Sequence, residues 1–394
     1  MKGRLFYTDN LRSFLLLLGI FFHSTIIFSE TDGYVLKDLE RAYWYDIPTK
    51  FIHIFRMPLF FYLAGYFSEL VLVQKGIPTF IKHRFWRIFI PTIFGVLAFS
   101  PVEYFFQNKL QNPDLSFLEF YIHFFHIEKF QFSYIWFLIY LLIYTFLFIL
   151  FKVFLQYIPK LYFLNKSNKK DWKEKKNLQN KTNQLYFLKI LHFIFFGILF
   201  SFSVSLISHT FFLIGFSIFK IDIFSFIGYF SYFLCGVFSF RYSILQIFQL
   251  EKNSYLFACV LGVIAFILYL KIDFLDPYWI PYFDAYRKWI RFFHLFLESV
   301  LAWLLSYLLL SSFQKWVNFE NSFSKYLLKS SLPVFLIHFP VSLVLGYYLV
   351  EIKLEQTVKF LVHFAGVTFF SFLIYDVFIK NSYFLNILLG NKGK

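Results

Sequence analysis

The sequence predicts an all-α integral membrane protein, a bundle of about ten transmembrane helices, and three observations support this fold class. Hydrophobic residues make up 59% of the 394-residue chain and charged residues only 15%, whereas soluble domains average roughly 45–50% and 25%. Apolar runs follow one another along the chain, and each is long enough, at about 17–25 residues, to cross a bilayer. Positive charge is concentrated in alternate gaps between these runs, which is the pattern of multi-pass membrane proteins.

Ten apolar runs are predicted to span the membrane, each bounded by polar or charged residues. The first run is followed by FSETDGY rather than a small-x-small cleavage site, so it is expected to remain as a helix. The fifth and sixth runs are the least distinct pair, because the gap that holds Lys220 and Asp222 is short. The runs lie near residues 11–29, 53–74, 88–106, 134–157, 190–216, 223–240, 254–272, 292–312, 331–350 and 357–379.

The distribution of Lys and Arg predicts that both termini face the cytoplasm. With the N-terminus inside, about two thirds of the 38 basic residues fall in the cytoplasmic gaps. A cytoplasmic surface that faces anionic lipid then accounts for the formal net charge of +15. The lipid bilayer is therefore the expected partner of this charge, and no nucleic acid is required.

A single transmembrane domain is predicted over residues 1–394, with one polar insertion. Residues 158–189 are charged and low in complexity, which predicts a disordered, Lys-rich cytoplasmic loop. Cys235 and Cys259 fall inside predicted helices, so a disulfide framework is excluded. No internal repeat is evident, which counts against the inverted-repeat transporter folds.

Arg12 and His23 are the first candidates for a functional site, because they lie eleven residues apart on the first apolar run. On a helix this spacing places them about 16 Å apart along the axis and within roughly 20° of the same face. A cation at the membrane surface with a titratable group beneath it suggests a path by which an anionic substrate reaches a catalytic base. The alternative is structural, since Arg at a helix end can anchor the segment and a histidine can simply pack.

Further candidates lie at membrane depth or at the inner rim. His338 enters about eight residues from the cytoplasmic side of the ninth helix, a depth similar to that of His23. Arg84 and Arg87 share a face at the inner end of the third helix, where two guanidinium groups suit a phosphate, although they also suit membrane anchoring. The remaining membrane histidines lie nearer predicted helix ends, where a polar tip can reach the interface; these are His192, His209, His294 and His363.

Five segments together resemble the membrane-bound acyltransferase-3 family. The opening RLFYTDNLRSFLLLLGIFFHS has the family's Arg-x10-His spacing, and residues 55–68 resemble its second helix, with Ala64 where the family usually has Ser. The RFWR motif at 84–87, the Trp-Phe-Leu helix at 134–144 and the late histidine helix at 330–340 also match. Within the family, the DNLR start and the short outer loops are most similar to the glucans biosynthesis protein C group.

This resemblance implies an acyl-CoA-dependent O-acyltransferase of the bacterial inner membrane. Acyl-CoA from the cytoplasm would be the co-substrate and an extracytoplasmic carbohydrate hydroxyl the acceptor, with an acetyl or succinyl group transferred. Arg12, Arg84 and Arg87 would bind the phosphates of CoA, and His23 would be catalytic, either as general base or through an acyl-histidine. His338 and Asp9 are the candidates for a proton relay or a supporting role, Asp9 by pairing with Arg12.

No metal and no tightly bound cofactor are expected, because the sequence has no Walker motif, GxSxG, HExxH or CxxC. Two other functions remain open at this point. A transporter or flippase of a saccharide or lipid-linked saccharide would line its path with His23 and the arginines and would move its substrate without consuming a thioester. A structural partner in envelope polysaccharide assembly would tolerate replacement of these residues. The sequence sets no oligomeric state.

Overall fold

The computed structural model describes residues 5–31, 34, 36–126, 132–156, 183–211, 217–218, 220–247, 252–279 and 284–391. These residues are almost entirely helical. A pair of two-residue antiparallel strands, Ser217–Ile218 and Ile221–Asp222, precedes one of the helices. Of the predicted disordered loop at 158–189, residues 158–182 lie outside the described part, and residues 183–189 belong to a helix.

Fourteen α-helices are present in the described ranges. They are α1 (Phe6–Phe28), α2 (Asp46–Arg84), α3 (Ile90–Ala98), α4 (Ser100–Gln111), α5 (Phe117–Phe124), α6 (Trp136–Gln156), α7 (Asn183–Phe211), α8 (Ile223–Arg241), α9 (Ile244–Ile247), α10 (Lys252–Trp279), α11 (Asp284–Trp316), α12 (Ser322–Leu349), α13 (Gln356–Ile374) and α14 (Tyr383–Leu388). Short π-helical turns follow α2 at Phe85–Phe89 and α13 at Tyr375–Ile379.

Nine stretches among the described residues are long and apolar enough to cross a membrane. Eight of them each correspond to one predicted run. The ninth, Tyr43–Leu110, covers 68 residues and contains two predicted runs, 53–74 and 88–106. At about 1.5 Å per residue it is long enough for two crossings of a hydrocarbon core about 30 Å thick. The multi-pass membrane fold predicted from the sequence is confirmed.

The long stretch changes direction at Gly76. This residue has φ 76° and ψ 169°, which is non-helical backbone inside α2. A positive φ of this kind is accessible to glycine at little cost, because glycine has no Cβ. The π-helical turn that begins at Phe85 then carries Arg87 just before α3.

The described residues form two units. The first comprises Met1–Leu11, Ile54–Lys82 and Leu141–Asn318, and the second comprises Arg12–His53, His83–Tyr140 and Phe319–Lys394.

In the first unit, α2 and α8 approach each other closely at two glycines. A Cβ on Gly65 would lie 1.9 Å from the carbonyl oxygen of Phe233, and a Cβ on Gly236 would lie 1.9 Å from that of Tyr62. Only a residue without a side chain fits at such positions, so the two glycines let the helix backbones meet directly. Small residues have this role at helix contacts in membranes, where burial of apolar surface from water contributes little to association.

A buried ionic cluster also joins helices of the first unit. The Glu69 carboxylate on α2 lies 2.6 Å from the Lys152 ammonium on α6 and 3.1 Å from the Arg241 guanidinium on α8. The side chain of Glu69 is fully buried and that of Lys152 nearly so. Lys152 is therefore an internal partner of Glu69.

In the second unit, α12 contains two prolines, and each removes one helical hydrogen bond. Pro340 has no N–H for the carbonyl of Leu336, and the Tyr134 hydroxyl donates to that carbonyl instead. Pro333 likewise leaves the carbonyl of Lys329 without its helical N–H donor. That carbonyl accepts a hydrogen bond from the Asn391 side chain at 3.0 Å instead. The helix therefore stays continuous through the segment that carries His338.

Candidate active site

Helix α1 carries Arg12 and His23 without interruption from Phe6 to Phe28. The spacing argued from the sequence therefore holds, with about 16 Å of axial rise between the two residues. Both residues belong to the second unit. His23 is only 8% exposed, which places its imidazole inside the unit. Asp9 lies in the first turn of α1, where a carboxylate favours the helix N-terminus; its predicted pairing with Arg12 stays a prediction.

The His23 ring has three aromatic neighbours: the His338 imidazole, Phe339 and Tyr34. The ring centroids of His23 and His338 lie 5.2 Å apart, and that of Phe339 lies 4.6 Å from His23. The hydroxyl of Tyr34 lies 3.1 Å from Nδ1 of His23. The proximity of the two histidines agrees with the equal depth predicted from the sequence, whereas the contribution of Tyr34 was missed.

A hydrogen bond determines which ring nitrogen of His338 carries the proton. Nδ1 of His338 lies 2.6 Å from the backbone carbonyl oxygen of Phe335. A carbonyl oxygen can only accept, so Nδ1 must be the donor, and Nε2 is the acceptor nitrogen of the neutral ring. His338 is fully buried. The ring beside His23 is therefore held in one tautomer by the helix that carries it.

The three arginines predicted to bind phosphate come together. Arg12 and Arg87 both act electrostatically on Arg84, so each of the two lies within electrostatic range of the Arg84 guanidinium. Arg12 and Arg84 are half-buried and Arg87 is exposed on the π-helical turn. Three like charges at close range repel one another, so the cluster favours a polyanion such as a phosphate group.

The described residues that follow α1, namely 29–31, 34 and 36–42, return to the end of α1 near His23 and are fixed at several points. The Lys37 ammonium donates to the carbonyls of Ile26 and Ser29 at 2.6 and 3.1 Å, which caps the C-terminus of α1. Asp38 forms a buried ion pair with Lys359 of α13, 2.9 Å from Oδ2 to Nζ. These contacts hold Tyr34, which lies in the same loop, against the imidazole. We refer to these described residues as the α1–α2 loop.

A buried carboxylate lies behind Tyr34. Glu103 on α4 is 9% exposed, and its carboxylate accepts from the Ser133 hydroxyl. Burial raises the pKa of the Tyr34 hydroxyl well above its usual range, and the Glu103 carboxylate adds to the rise. The phenol of Tyr34 therefore stays protonated at neutral pH and remains able both to donate and to accept.

His363 departs from its expected position. The sequence placed it near a helix end where its tip would reach the interface, but it is 1% exposed. Its Nδ1 lies 3.0 Å from the Ser24 hydroxyl, and its Nε2 lies 2.9 Å from the Ser342 carbonyl. The prediction was wrong because the imidazole packs between α1 and α12, where Ser24 and the Ser342 carbonyl are the partners of its two nitrogens.

Comparisons with known proteins confirm the family resemblance that the sequence indicates. The acyltransferase-3 family model, described as an acyltransferase domain, matches residues 5–379. Glucans biosynthesis protein C of Escherichia coli (strain K12) is 24% identical over 386 residues, which cover 96% of this chain and 92% of the relative. The protein of that name from Shigella dysenteriae serotype 1 (strain Sd197) has the same identity and coverage. No solved structure matches the chain.

Proposed function

We propose that this chain, which belongs to the acyltransferase-3 family, moves an acetyl or succinyl group from cytoplasmic acyl-CoA to a hydroxyl of an extracytoplasmic carbohydrate. The family and the membrane-spanning helices make it a membrane acyltransferase. The donor, the acceptor and the acyl group belong to the proposal. A periplasmic glucan or a surface polysaccharide is the proposed acceptor, which the name of the relatives in glucan biosynthesis supports.

The proposed topology has ten crossings in the bacterial inner membrane, with both termini in the cytoplasm. It counts two crossings in Tyr43–Leu110 and one in each of the other eight stretches. An even number of crossings returns the chain to its starting side. Contacts inside the second unit support this, because Gly390, near the C-terminus, lies against the backbone of Arg87 in the arginine cluster. Clustered arginine is typical of the cytoplasmic side.

The observation that carries the proposal is the placement of three arginines at one end of the second unit and of His23 deeper along α1. The phosphates of CoA would bind Arg12, Arg84 and Arg87. The pantetheine arm would then run along α1 and bring the thioester toward His23, over the axial distance of about 16 Å. A phosphate site alone would not need a buried imidazole at that distance, and an imidazole alone would not need the arginines.

His23 would activate the acceptor, because a sugar hydroxyl is a weak nucleophile near neutral pH. In the general-base route the imidazole takes the hydroxyl proton while the oxygen attacks the thioester carbonyl. The C–S bond then breaks, and the imidazolium returns the proton to the thiolate. In the covalent route the imidazole nitrogen attacks the thioester carbonyl, the C–S bond breaks, and the leaving thiolate takes up the proton that the ring releases. The acyl-histidine then passes its group to the hydroxyl, whose proton returns to the imidazole. Both routes yield one ester and free CoA. His338, next to His23, would support the imidazolium or relay its proton.

The first experiment measures release of free CoA from acetyl-CoA and succinyl-CoA by purified protein reconstituted with envelope saccharides. We expect the wild type to release CoA and His23→Ala to release none while remaining folded and inserted. His192→Ala, which changes an exposed histidine of α7, is the control and should match the wild type. Wild-type turnover by His23→Ala would overturn the mechanism. Movement of saccharide across the vesicle membrane without CoA release would favour a transporter.

The second experiment tests the arginines with two donors. Loss of one charge-assisted hydrogen bond costs about 1.5–3 kcal/mol, so Arg84→Ala should raise the KM for acetyl-CoA by roughly 10- to 150-fold. Acetyl-pantetheine has no phosphate, so its KM should be the same in Arg84→Ala and in the wild type. Lys82→Ala, an exposed cation two residues earlier, is the matched control. An equal effect on both donors would refute phosphate binding at this cluster.

A further inference from the structure

His363 links the two helices that carry the histidines of the site. Its Nε2 lies 2.9 Å from the backbone carbonyl of Ser342 on α12, and a carbonyl oxygen only accepts. Nε2 therefore carries the proton and, in the neutral ring, Nδ1 accepts from the Ser24 hydroxyl of α1 at 3.0 Å. Each nitrogen has one assigned role, so the His363 ring has a single orientation and a single neutral tautomer.

These bonds connect the immediate neighbours of both histidines of the site. Ser24 follows His23 directly in the chain, and Ser342 follows His338 by four residues on α12. We refer to the hydrogen bonds that join Ser24, His363 and Ser342 as the circuit, which connects α1, α13 and α12.

We infer that His363 is a positioning residue of the reaction, acting through this circuit on the orientation of His23 and on its spacing from His338. Ser342 follows His338 by one helical turn, so the bond from His363 to Ser342 fixes the height of His338 as well. Rotation of α1 would break the bond from His363 to Ser24, and sliding of α12 would break the bond from His363 to Ser342. The inference rests on the proposed function for the consequence on turnover.

Gly346 makes room for this arrangement. A Cβ at Gly346 would lie 2.6 Å from Cδ2 of Leu36 in the α1–α2 loop and 3.5 Å from Nε2 of His363. The absence of a side chain on α12 therefore lets the loop and the imidazole approach the helix side by side.

The test probes the hydrogen bonds of the circuit through the reactivity of His23, in the absence of substrate. Diethyl pyrocarbonate modifies neutral imidazole, and mass spectrometry of the peptide that contains His23 gives the rate of modification at that residue. We expect His363→Leu, which keeps the volume but removes both hydrogen bonds, to raise the His23 rate about fivefold, the factor that corresponds to one lost hydrogen bond. Ser24→Ala should act in the same direction. His363→Gln keeps one donor and one acceptor and should restore a rate within about twofold of the wild type.

Ser371→Ala is the matched control, since it removes a fully buried hydroxyl from the same helix outside the circuit. It should leave the His23 rate unchanged. CoA release gives the second readout: kcat should fall in His363→Leu at constant KM for acyl-CoA and recover in His363→Gln.

A wild-type His23 rate in both His363→Leu and Ser24→Ala overturns the inference, whatever His23→Ala does to CoA release. If the wild type releases no CoA while the His23 rate responds as expected, the proposed function fails and the circuit stands.

Discussion

The buried ion pair between Asp38 and Lys359 yields a prediction whose magnitude follows from its surroundings. The Asp38 side chain is fully buried, and that of Lys359 is 7% exposed. Lys359→Met removes the cation but keeps the length of the side chain. The Asp38 carboxylate would then retain the N–H of Glu40, 3.0 Å from Oδ1, without its charge partner. Breaking a buried pair from one side costs about 3–5 kcal/mol, because the remaining charge stays buried.

This loss should be visible in thermal unfolding in detergent. A change of 1 kcal/mol shifts the melting temperature of a body of 150–250 residues by about 2–4 °C, so Lys359→Met should lower it by on the order of 10 °C. The double variant Asp38→Asn, Lys359→Met removes both charges and should recover most of the loss. The coupling energy of the pair is the stability change of the double variant minus the sum of the changes in Asp38→Asn and Lys359→Met, which is a double-mutant cycle.

The matched control is Lys353→Met, which removes an exposed cation of the α12–α13 connection and should change stability by less than about 0.5 kcal/mol. A Lys359→Met variant within 1 kcal/mol of the wild type would refute the reasoning. So would a double variant no more stable than the single one, because the loss would then not arise from the stranded carboxylate.

Two more stability predictions follow from the helix contacts. Tyr134→Phe leaves the Leu336 carbonyl without the donor that replaces the missing proline N–H, and should cost about 1–3 kcal/mol in thermal unfolding; an unchanged melting temperature would contradict this. Gly65→Ala would place a Cβ 1.9 Å from the Phe233 carbonyl oxygen, so we expect little folded protein by size-exclusion chromatography. Gly262→Ala, whose Cβ would meet nothing within 4 Å, should behave as the wild type, and equal yields of both variants would refute the close contact.

The sequence predicted the membrane fold and the position of Arg12 and His23 because both depend on local regularities. Apolar runs and helix periodicity are properties of contiguous residues, so the rise from Arg12 to His23 follows from their spacing along the chain alone. Similar depth was also sufficient to predict that His23 and His338 are able to meet. The pairing itself required knowledge of which helices are neighbours, which no spacing along the chain provides.

The remaining parts of the site were missed because they join residues of common types over long distances in the sequence. Ser24 and His363 are 339 residues apart, and a serine in an apolar helix carries no signal by itself. Tyr34 lies beyond the first apolar run, where the sequence predicts only a short loop. Its return to His23 depends on Lys37 and Asp38, whose charges look like ordinary loop charges until their partners on α1 and α13 are known.

The position of Tyr34 limits which nitrogen of His23 can take part in the proposed chemistry. Nδ1 lies 3.1 Å from the Tyr34 hydroxyl, so the acceptor sugar has only Nε2 to approach. Nε2 is basic in the neutral ring only when Nδ1 carries the proton, and the Tyr34 hydroxyl oxygen then accepts a hydrogen bond from that N–H. The general-base route and the acyl-histidine route would then share the same atom. Trapping of an acyl group on Nδ1 rather than Nε2 would show that Tyr34 leaves the imidazole during turnover.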